Sequence, residues 1–302
     1  MRIATLNVQN LRLREDAGGP HFDGARDEIM PLSKLSAEAR ALDREDRRLT
    51  ARLIADADAD ILALQEVFDQ RTLDAFHDAH LAPLGAPYPH RICIPGNDGR
   101  RHVALMSRLP LQDVQSHAAM SYADIGLDPP EGDAASARVF RRDCLAASCA
   151  GVQLYVVHFK APSDPVSLSV VRREALSTRK LIERRFADPA AALWLILGDV
   201  NVNDVPTGDV IDVLTTDFAH DLAAALPAAE RWTYFHPAHI SYARPDRMLA
   251  SPLLAARCGA VEVRREGISR AAEACAGPRL AGVGVIRPRA SDHALLAVDV
   301  HG

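Results

Sequence analysis

Asp199 and Asn201 stand two residues apart in Leu197-Gly198-Asp199-Val200-Asn201, directly behind the apolar run Leu193-Trp194-Leu195-Ile196-Leu197. The run is too short and too sharply ended for a helix and reads as a buried strand. Gly198 breaks it, which puts the carboxylate and the amide at the strand's mouth. Residues i and i+2 leaving a strand point the same way, so their oxygens converge. Such a pair suits a hard cation and a phosphate oxygen.

Other polar residues also fall where strands end. Glu66 follows Ile61-Leu62-Ala63-Leu64-Gln65 on the parity of two core leucines. A carboxylate there is costly to bury unless it is paired or binds a metal; the plainer reading is a surface group just past the strand. Asn7, two residues beyond Thr5, is either a short oxygen ligand or a turn former. His158 closes an alternating strand, where a lone histidine is more often structural. Asp246 lies between Arg244 and Arg247, and Ser291-Asp292-His293 precedes the last apolar run. Together Asn7, Glu66, His158, Asp199, Asn201, Asp246, Asp292 and His293 offer oxygen ligands for Mg²⁺ or Mn²⁺. They also offer two imidazoles able to exchange protons near neutral pH. Hydrolysis of a phosphoester needs these functions: an in-line water, neutralised charge and a protonated leaving oxygen.

The elements that must position these groups alternate between strand and helix. Ile3–Val8 reads as an opening strand with Ile3, Thr5 and Asn7 on one face. Ala37–Ala57 is helical, though Ala39, Leu42, Leu49, Leu53 and Ile54 make only an incomplete apolar stripe. Strands follow at Ile61–Leu64, Val103–Met106 and Val152–His158, and Val171, Ala175, Ile182 and Phe186 have helical spacing. After Trp194–Leu197 come a Pro/Gly/Asp-rich loop, a short strand near Arg247–Ala250 and a closing strand at Leu295–Val300. Tyr122–Ala137, with Pro129-Pro130 and Gly132, reads as a surface loop.

With 302 residues, 48% hydrophobic and 25% charged, the chain has the make-up of an ordinary globular protein with a large core. No linker divides it, so one domain over residues 1–302 is expected. No stretch approaches the ~18 apolar residues of a membrane span, and the first residues lack a signal peptide's long apolar segment. Cys93, Cys144, Cys149, Cys258 and Cys275 form no CxxC pair and predict reduced thiols in a cytoplasmic setting. A net charge of −5 argues against a generic nucleic-acid coating protein. It does not exclude a nuclease, whose cation offsets repulsion locally. Three arginine groups stand out: Arg100 and Arg101; Arg138, Arg141 and Arg142; and Arg244, Arg247, Arg287 and Arg289. Each reads first as a solvated face and second as a phosphate contact. The stretch holding Arg12, Arg14, Arg44, Arg47 and Arg48 likewise reads first as a solvated helix and second as a substrate wall.

In the order in which they occur, several segments resemble the endonuclease/exonuclease/phosphatase superfamily, and in places its pancreatic-type DNase I branch. They are Ile3-Ala4-Thr5-Leu6-Asn7, Asp60-Ile61-Leu62-Ala63-Leu64-Gln65-Glu66-Val67, Met106-Ser107-Arg108, His158-Phe159-Lys160-Ala161-Pro162-Ser163-Asp164, Gly198-Asp199-Val200-Asn201, Asp246-Arg247-Met248-Leu249 and Ser291-Asp292-His293. The resemblance implies an α/β/β/α sandwich of two mostly antiparallel sheets with the site at one rim. Strand–helix alternation alone would suggest a doubly wound parallel sheet. It further implies that Glu66 is the principal metal carboxylate, with Asn7 and Asp292 in the same sphere of a Mg²⁺ or Mn²⁺ ion. Asp199 would orient or deprotonate the water, Asn201 would steady the phosphate, and His158 and His293 would flank the phosphorus. Asp246 would hold His293 and raise its pKa.

Two departures qualify that picture. The DNase I branch supports its first histidine with an acidic residue before the central strand. Here that region reads Gly99-Arg100-Arg101-His102-Val103, with Asp98 the nearest carboxylate. The branch also carries an arginine two residues after the metal glutamate, where this chain has Phe68, which counts against a minor-groove mode of cutting. A DNA nuclease is the first expectation. A phosphatase or phosphodiesterase acting on a small molecule or lipid headgroup, inositol phosphate or sphingomyelin-like, is the alternative. It suits the acidic net charge and the aromatic content of 5%, which makes base-stacking platforms scarce. A binding module that has lost catalysis is disfavoured because the candidate set is complete.

Overall fold

Two strand–helix–strand units set the frame of the computed structural model, which describes residues 1–28, 30–203 and 210–302. The Pro/Gly/Asp-rich loop expected after the Trp194 strand falls largely outside them. Strand β1 (Arg2–Leu11) passes through helix α1 (Ala37–Ala57) to β4 (Ile61–Val67), which lies parallel to it. Strand β9 (Val152–His158) passes through α4 (Pro165–Arg185) to its parallel partner β10 (Trp194–Asp199). The other pairings are antiparallel. In the first sheet, β16 (Leu295–Asp299) joins β1 and β6 (His102–Ser107) joins β4, with β15 (Glu262–Arg264) and β5 (His90–Cys93) at the edges. In the second, β8 (Cys144–Cys149) joins β9 and β14 (Asp246–Ala250) joins β10, with β7 (Gln112–Ser116) and β11 (His220–Asp221) outermost. Two hairpins stand apart: β2 (Leu13–Asp16) with β3 (Gly19–Phe22), and β12 (Tyr234–His236) with β13 (Ser241–Ala243).

Three apolar clusters separate four layers, as the resemblance implies. Ile3, Ile61, Ala63 and Leu105 of the first sheet meet Leu154, Val156, Leu195 and Met248 of the second. Leu62 and Leu64 face Leu49, Leu53 and Ile54 of α1, with Leu73 and Phe76 of the short α2 (Gln70–Phe76). On the far side Tyr155, Val157 and Ile196 face Val171, Ala175 and Ile182 of α4, with Tyr122 and Ile125 of α3 (Tyr122–Ile125). Both faces of the central strands are covered, which is why they read as near-continuous apolar runs.

Two expectations need correction. Tyr122–Ala137 is not all surface loop: Ser121 and Asp124 form a reciprocal capping box, and the single turn it starts buries Tyr122 and Ile125 completely. Nor is the arginine-rich stretch merely a solvated helix. Helix α1 starts at Ser36, whose hydroxyl accepts the Ala39 N–H. Its apolar stripe is incomplete because the first half of its inner face buries Asp43, Asp46 and Arg47, all fully enclosed.

Backbone irregularities aim the polar side chains. The register of β1 against β4 shifts between Asn7 and Leu11, where Gln9 and Asn10 take φ of 47° and 55°. A second shift, between Gln65 and Val67 of β4 against β6, centres on Glu66 at φ 67°. By strand parity Glu66 would join Leu62 and Leu64; the bulge sends Val67 into that cluster and frees Glu66 for the rim. Strand β10 does not break at Gly198 but runs through it to Asp199. Gly198 has φ 132°, and a Cβ there would lie 2.1 Å from the Val157 carbonyl oxygen. Gly198→Ala should therefore cost about 3 kcal/mol or more. A lowered urea midpoint would show it; an unchanged midpoint would refute the close approach.

Candidate active site

The register of the second sheet sets three site residues in a row. Asp199 on β10 lies opposite His158 on β9 and opposite Asp246 on β14. The first sheet brings Asn7 across the gap, where its Nδ2 donates to Asp199 Oδ2 at 3.0 Å. A cavity of about 340 Å³ opens at this rim, and seven of the eight candidate residues line it. The eighth, Asp246, lies behind His293.

His293 Nδ1 donates to Asp246 Oδ2 at 2.9 Å, and Thr233 Oγ1 donates to the same oxygen at 2.6 Å. Burial works against a charged imidazolium, but Asp246, with Asp292 and Asp199 behind it, outweighs that and carries the pKa up to about 10. His293 is thus a cation at neutral pH. Asp199 takes the opposite course. Burial lifts its carboxyl to about 6, against the pull of His293 and the bonds from Asn7 and from the Asn201 N–H at 2.9 Å. Asn201 reaches the cavity from the left-handed region, φ 55°, and not by strand alternation. One of its side-chain N–H groups donates to Phe159 O at 3.0 Å, and the other has no partner among the described residues.

His158 differs from the expected proton carrier. Its Nε2 is 3.4 Å from Asp199 Oδ2, and its buried Nδ1 has no hydrogen-bond partner among the described residues. Burial, reinforced by Arg142, pushes its pKa well below the usual imidazole range. Asp98, the candidate support, instead pairs with Arg142 at 3.3 Å. Asp98 is therefore not the support of His158, and His158 is neutral.

Glu66 and Asp292 form the acidic side of the cavity. Glu66 Oε2 accepts the Asn10 N–H at 2.9 Å, while Arg101 approaches its other oxygen only to 3.7 Å. Asp292 Oδ2 accepts Gln9 Nε2 at 2.8 Å, with Arg289 at 3.9 Å. Burial raises both pKa values. Two buried carboxylates with incomplete charge compensation, facing one cavity, fit a hard divalent cation. Asn7 Oδ1 accepts the Gln9 N–H and retains a lone pair. Asp199, Asp246 and His293 also lie within metal-binding distance of one another, but the His293–Asp246 bond makes them a proton network. A third cluster, His21, Asp23 and Asp43, is already neutralised by Arg14, Arg26 and Arg287.

Several residues around the cavity carry no motif. Gln9, Arg101, Arg142 and Tyr234 line it. Arg142, read as part of a solvated group, is 6% exposed and donates to Phe159 O at 2.6 Å. The group at 244–289 is not a solvated face: Arg244 and Arg247 grip Asp221, Arg287 grips Asp43 and Asp46, and Arg289 lies behind the cavity, donating to Gln9 Oε1. At position 68 the Arg12 guanidinium lies 4.2 Å over the Phe68 ring.

Asp246→Asn should lower the His293 pKa by two units or more, since it removes the charge that holds the imidazolium. NMR titration of the ring measures this directly; a pKa still near 10 would assign the shift to other carboxylates.

The sequence profile described as the Endonuclease/Exonuclease/phosphatase family matches residues 4–293. No curated protein matches the chain in sequence. Among solved structures it is similar to a 3'-5' exonuclease, NExo, from Neisseria meningitidis, at TM-score 0.59 and 20% identity over all of both chains. An AP endonuclease from Archaeoglobus fulgidus gives 0.58 and 16% over 99% of each chain. Truncated TDP2 from Caenorhabditis elegans gives 0.58 and 13% over 100% of this chain and 97% of its own. At these identities the structural likeness speaks for the fold, a DNase I-like sandwich.

Proposed function

The chain belongs to the Endonuclease/Exonuclease/phosphatase family of phosphoric ester hydrolases, and from that premise we propose that it is a divalent-metal-dependent phosphodiesterase cutting DNA. The rim of the cavity carries the choice of a polymer. Aromatic residues are few in the chain, yet here rings follow one another outward from the catalytic histidine. Tyr234 lies 4.8 Å from His293, His236 lies 6.3 Å from Tyr234, and His239 stacks on His236 at 4.4 Å. Such a series suits the stacking of bases. Near Arg101, Arg100 and the Arg12 seated on Phe68 offer guanidinium groups to phosphates. A small phosphomonoester would need neither. The local basic groups also answer the objection raised by the net charge of −5.

Glu66, Asp292 and Asn7 would hold Mg²⁺ or Mn²⁺, which supplies neutralisation of charge on a non-bridging phosphate oxygen. Asp199, with its carboxyl near 6, is the base that orients and deprotonates the water. The protonated His293, held by Asp246, gives its Nε2 proton to the leaving oxygen as the P–O bond breaks, and an N–H of the Asn201 amide donates to a phosphoryl oxygen on which charge builds. His158, being neutral, contributes a hydrogen bond without a charge. Arg142 adds a fixed positive charge behind the phosphate.

The activity should rise with pH as Asp199 loses its proton near 6, level off, and fall as His293 loses its own near 10. A pH–rate profile with no acid limb would remove Asp199 from the role of base. The direct test is conversion of supercoiled plasmid to nicked circle in Mg²⁺ or Mn²⁺. Nicking should require metal, and His293→Ala should slow it by about 10²-fold or more. Folded wild type that leaves plasmid intact but hydrolyses small diesters would shift the substrate to small-molecule or lipid-headgroup phosphoesters.

A further inference from the structure

Arg47 is completely buried, and its hydrogen bonds go to carbonyl oxygens, none to a carboxylate. Nε donates to Asp23 O at 2.5 Å, Nη1 to Val8 O at 2.6 Å, and Nη2 to Gln9 O at 2.7 Å and Gly24 O at 2.9 Å. Two of those carbonyls belong to the β1 bulge. There Gln9 and Asn10 occupy the left-handed region in succession, a conformation that costs on the order of 1 kcal/mol per non-glycine residue.

That same bulge carries the groups which hold the acidic side of the cavity. The Asn10 N–H binds Glu66 Oε2, the Gln9 side chain binds Asp292 Oδ2, and the Gln9 N–H binds Asn7 Oδ1. Turning these donors toward the carboxylates turns the Val8 and Gln9 carbonyls inward, toward α1. Left unpaired there, they would oppose the turn. A planar guanidinium with five donors is the side chain able to meet four acceptors at once. The helix also fixes the other half of the centre. Asp46 Oδ1 accepts the Arg289 N–H at 2.8 Å, and Arg289 Nη2 donates to Gln9 Oε1 at 3.1 Å.

We propose that Arg47 is the positioning residue of the cation site: from the far side of the sheet it holds the bulge that sets Glu66, Asn7 and Asp292 in place. The proposal rests on the reading of those three residues as cation ligands. Arg47 touches neither substrate nor ion, so its effect must appear in binding of the ion by folded protein. Outer-shell partners of metal ligands are worth about 10- to 100-fold in affinity.

The experiment is Mn²⁺ binding followed by electron paramagnetic resonance, on wild type, Arg47→Lys and Leu53→Ala. Leu53 lies on the same helix, fully buried, and as a hydrocarbon side chain can donate no hydrogen bond to the bulge carbonyls. Its truncation controls for lost stability. Arg47→Lys keeps the charge but not the fork, and its Kd for Mn²⁺ should rise at least tenfold while that of Leu53→Ala stays put. Equal affinity in folded Arg47→Lys and wild type overturns the proposal, as does an equal loss in Leu53→Ala. Wild type that binds no Mn²⁺ overturns both the proposal and the ligand assignment beneath it. Amide exchange in wild type gives a check that needs no variant. The Gln9 and Asn10 amides should be protected to the level of global unfolding, and rapid exchange there would mean that Arg47 does not hold the bulge.

Discussion

Four carboxylates, Glu66, Asp199, Asp246 and Asp292, are buried around one rim, none more than 9% exposed. Burial raises the pKa of Glu66, Asp199 and Asp292, and gathering four carboxylates at one rim concentrates negative charge. The rest of the site can be read as the answer to that constraint. Asp246 is paired to an imidazolium, Glu66 has Arg101 and Asp292 has Arg289 at longer range, and Asp199 is left with the neutral donors of Asn7 and Asn201. One environment thereby pushes Asp199 up and His293 up for opposite reasons, the first by desolvation and the second by attraction. The result is a base that is free and a hydrogen-bond donor that stays charged over the same range of pH, the separation that acid–base chemistry requires.

Regular strands could not deliver this arrangement by themselves. Strict alternation places Asp199 between His158 and Asp246, and it carries Asn7 to the gap between the sheets. Glu66, Gln9 and Asn201 arrive only because the backbone leaves the β region beside them. Each irregularity has a local cost and a partner that offsets it: the Asn10 N–H for Glu66, the Arg47 fork for Gln9 and Asn10, the Asp199 carboxylate for Asn201. Strain and polar satisfaction are thus coupled at the rim, while the apolar interface between the sheets stays regular.

This division explains what was legible in the amino-acid sequence. Helix α1 covers the residues read as helical from the sequence, Ala37–Ala57, and β9 matches its alternation residue for residue. Those elements are specified by local pattern and by the burial of carbon. The eight polar candidates were recognisable because each stands at a strand's end, and the structure gathers them all. Arg47, Arg142 and Tyr234 were not recognisable in the same way. A buried arginine is indistinguishable in sequence from one on a solvated face, since what separates them is a set of carbonyls up to 39 positions away. A low aromatic count suggested no stacking platform, yet it says nothing about where the few rings are placed. The parity of Glu66 pointed to the wrong face because a bulge has no reliable signature beyond the residue that occupies it.

The chemistry and the selection of substrate proposed here lie on different parts of the chain. Glu66, Asp199, Asp246 and His293 lie in or beside the two sheets, in positions dictated by strand register and core packing. The rings at 234–239 and the Arg12–Phe68 pair lie on a hairpin and on the segment leaving β1, outside that packing. Exchanging Phe68 for an arginine and losing Arg12 would leave the same guanidinium charge near the same place with no change in the core. Elements with so little structural burden can change what is bound without disturbing how it is cut. The buried carboxylates have no such freedom, because each is held by groups from distant segments of the chain: Glu66 by Asn10, Asp199 by Asn7, Asp246 by Thr233 and His293, and Asp292 by Gln9.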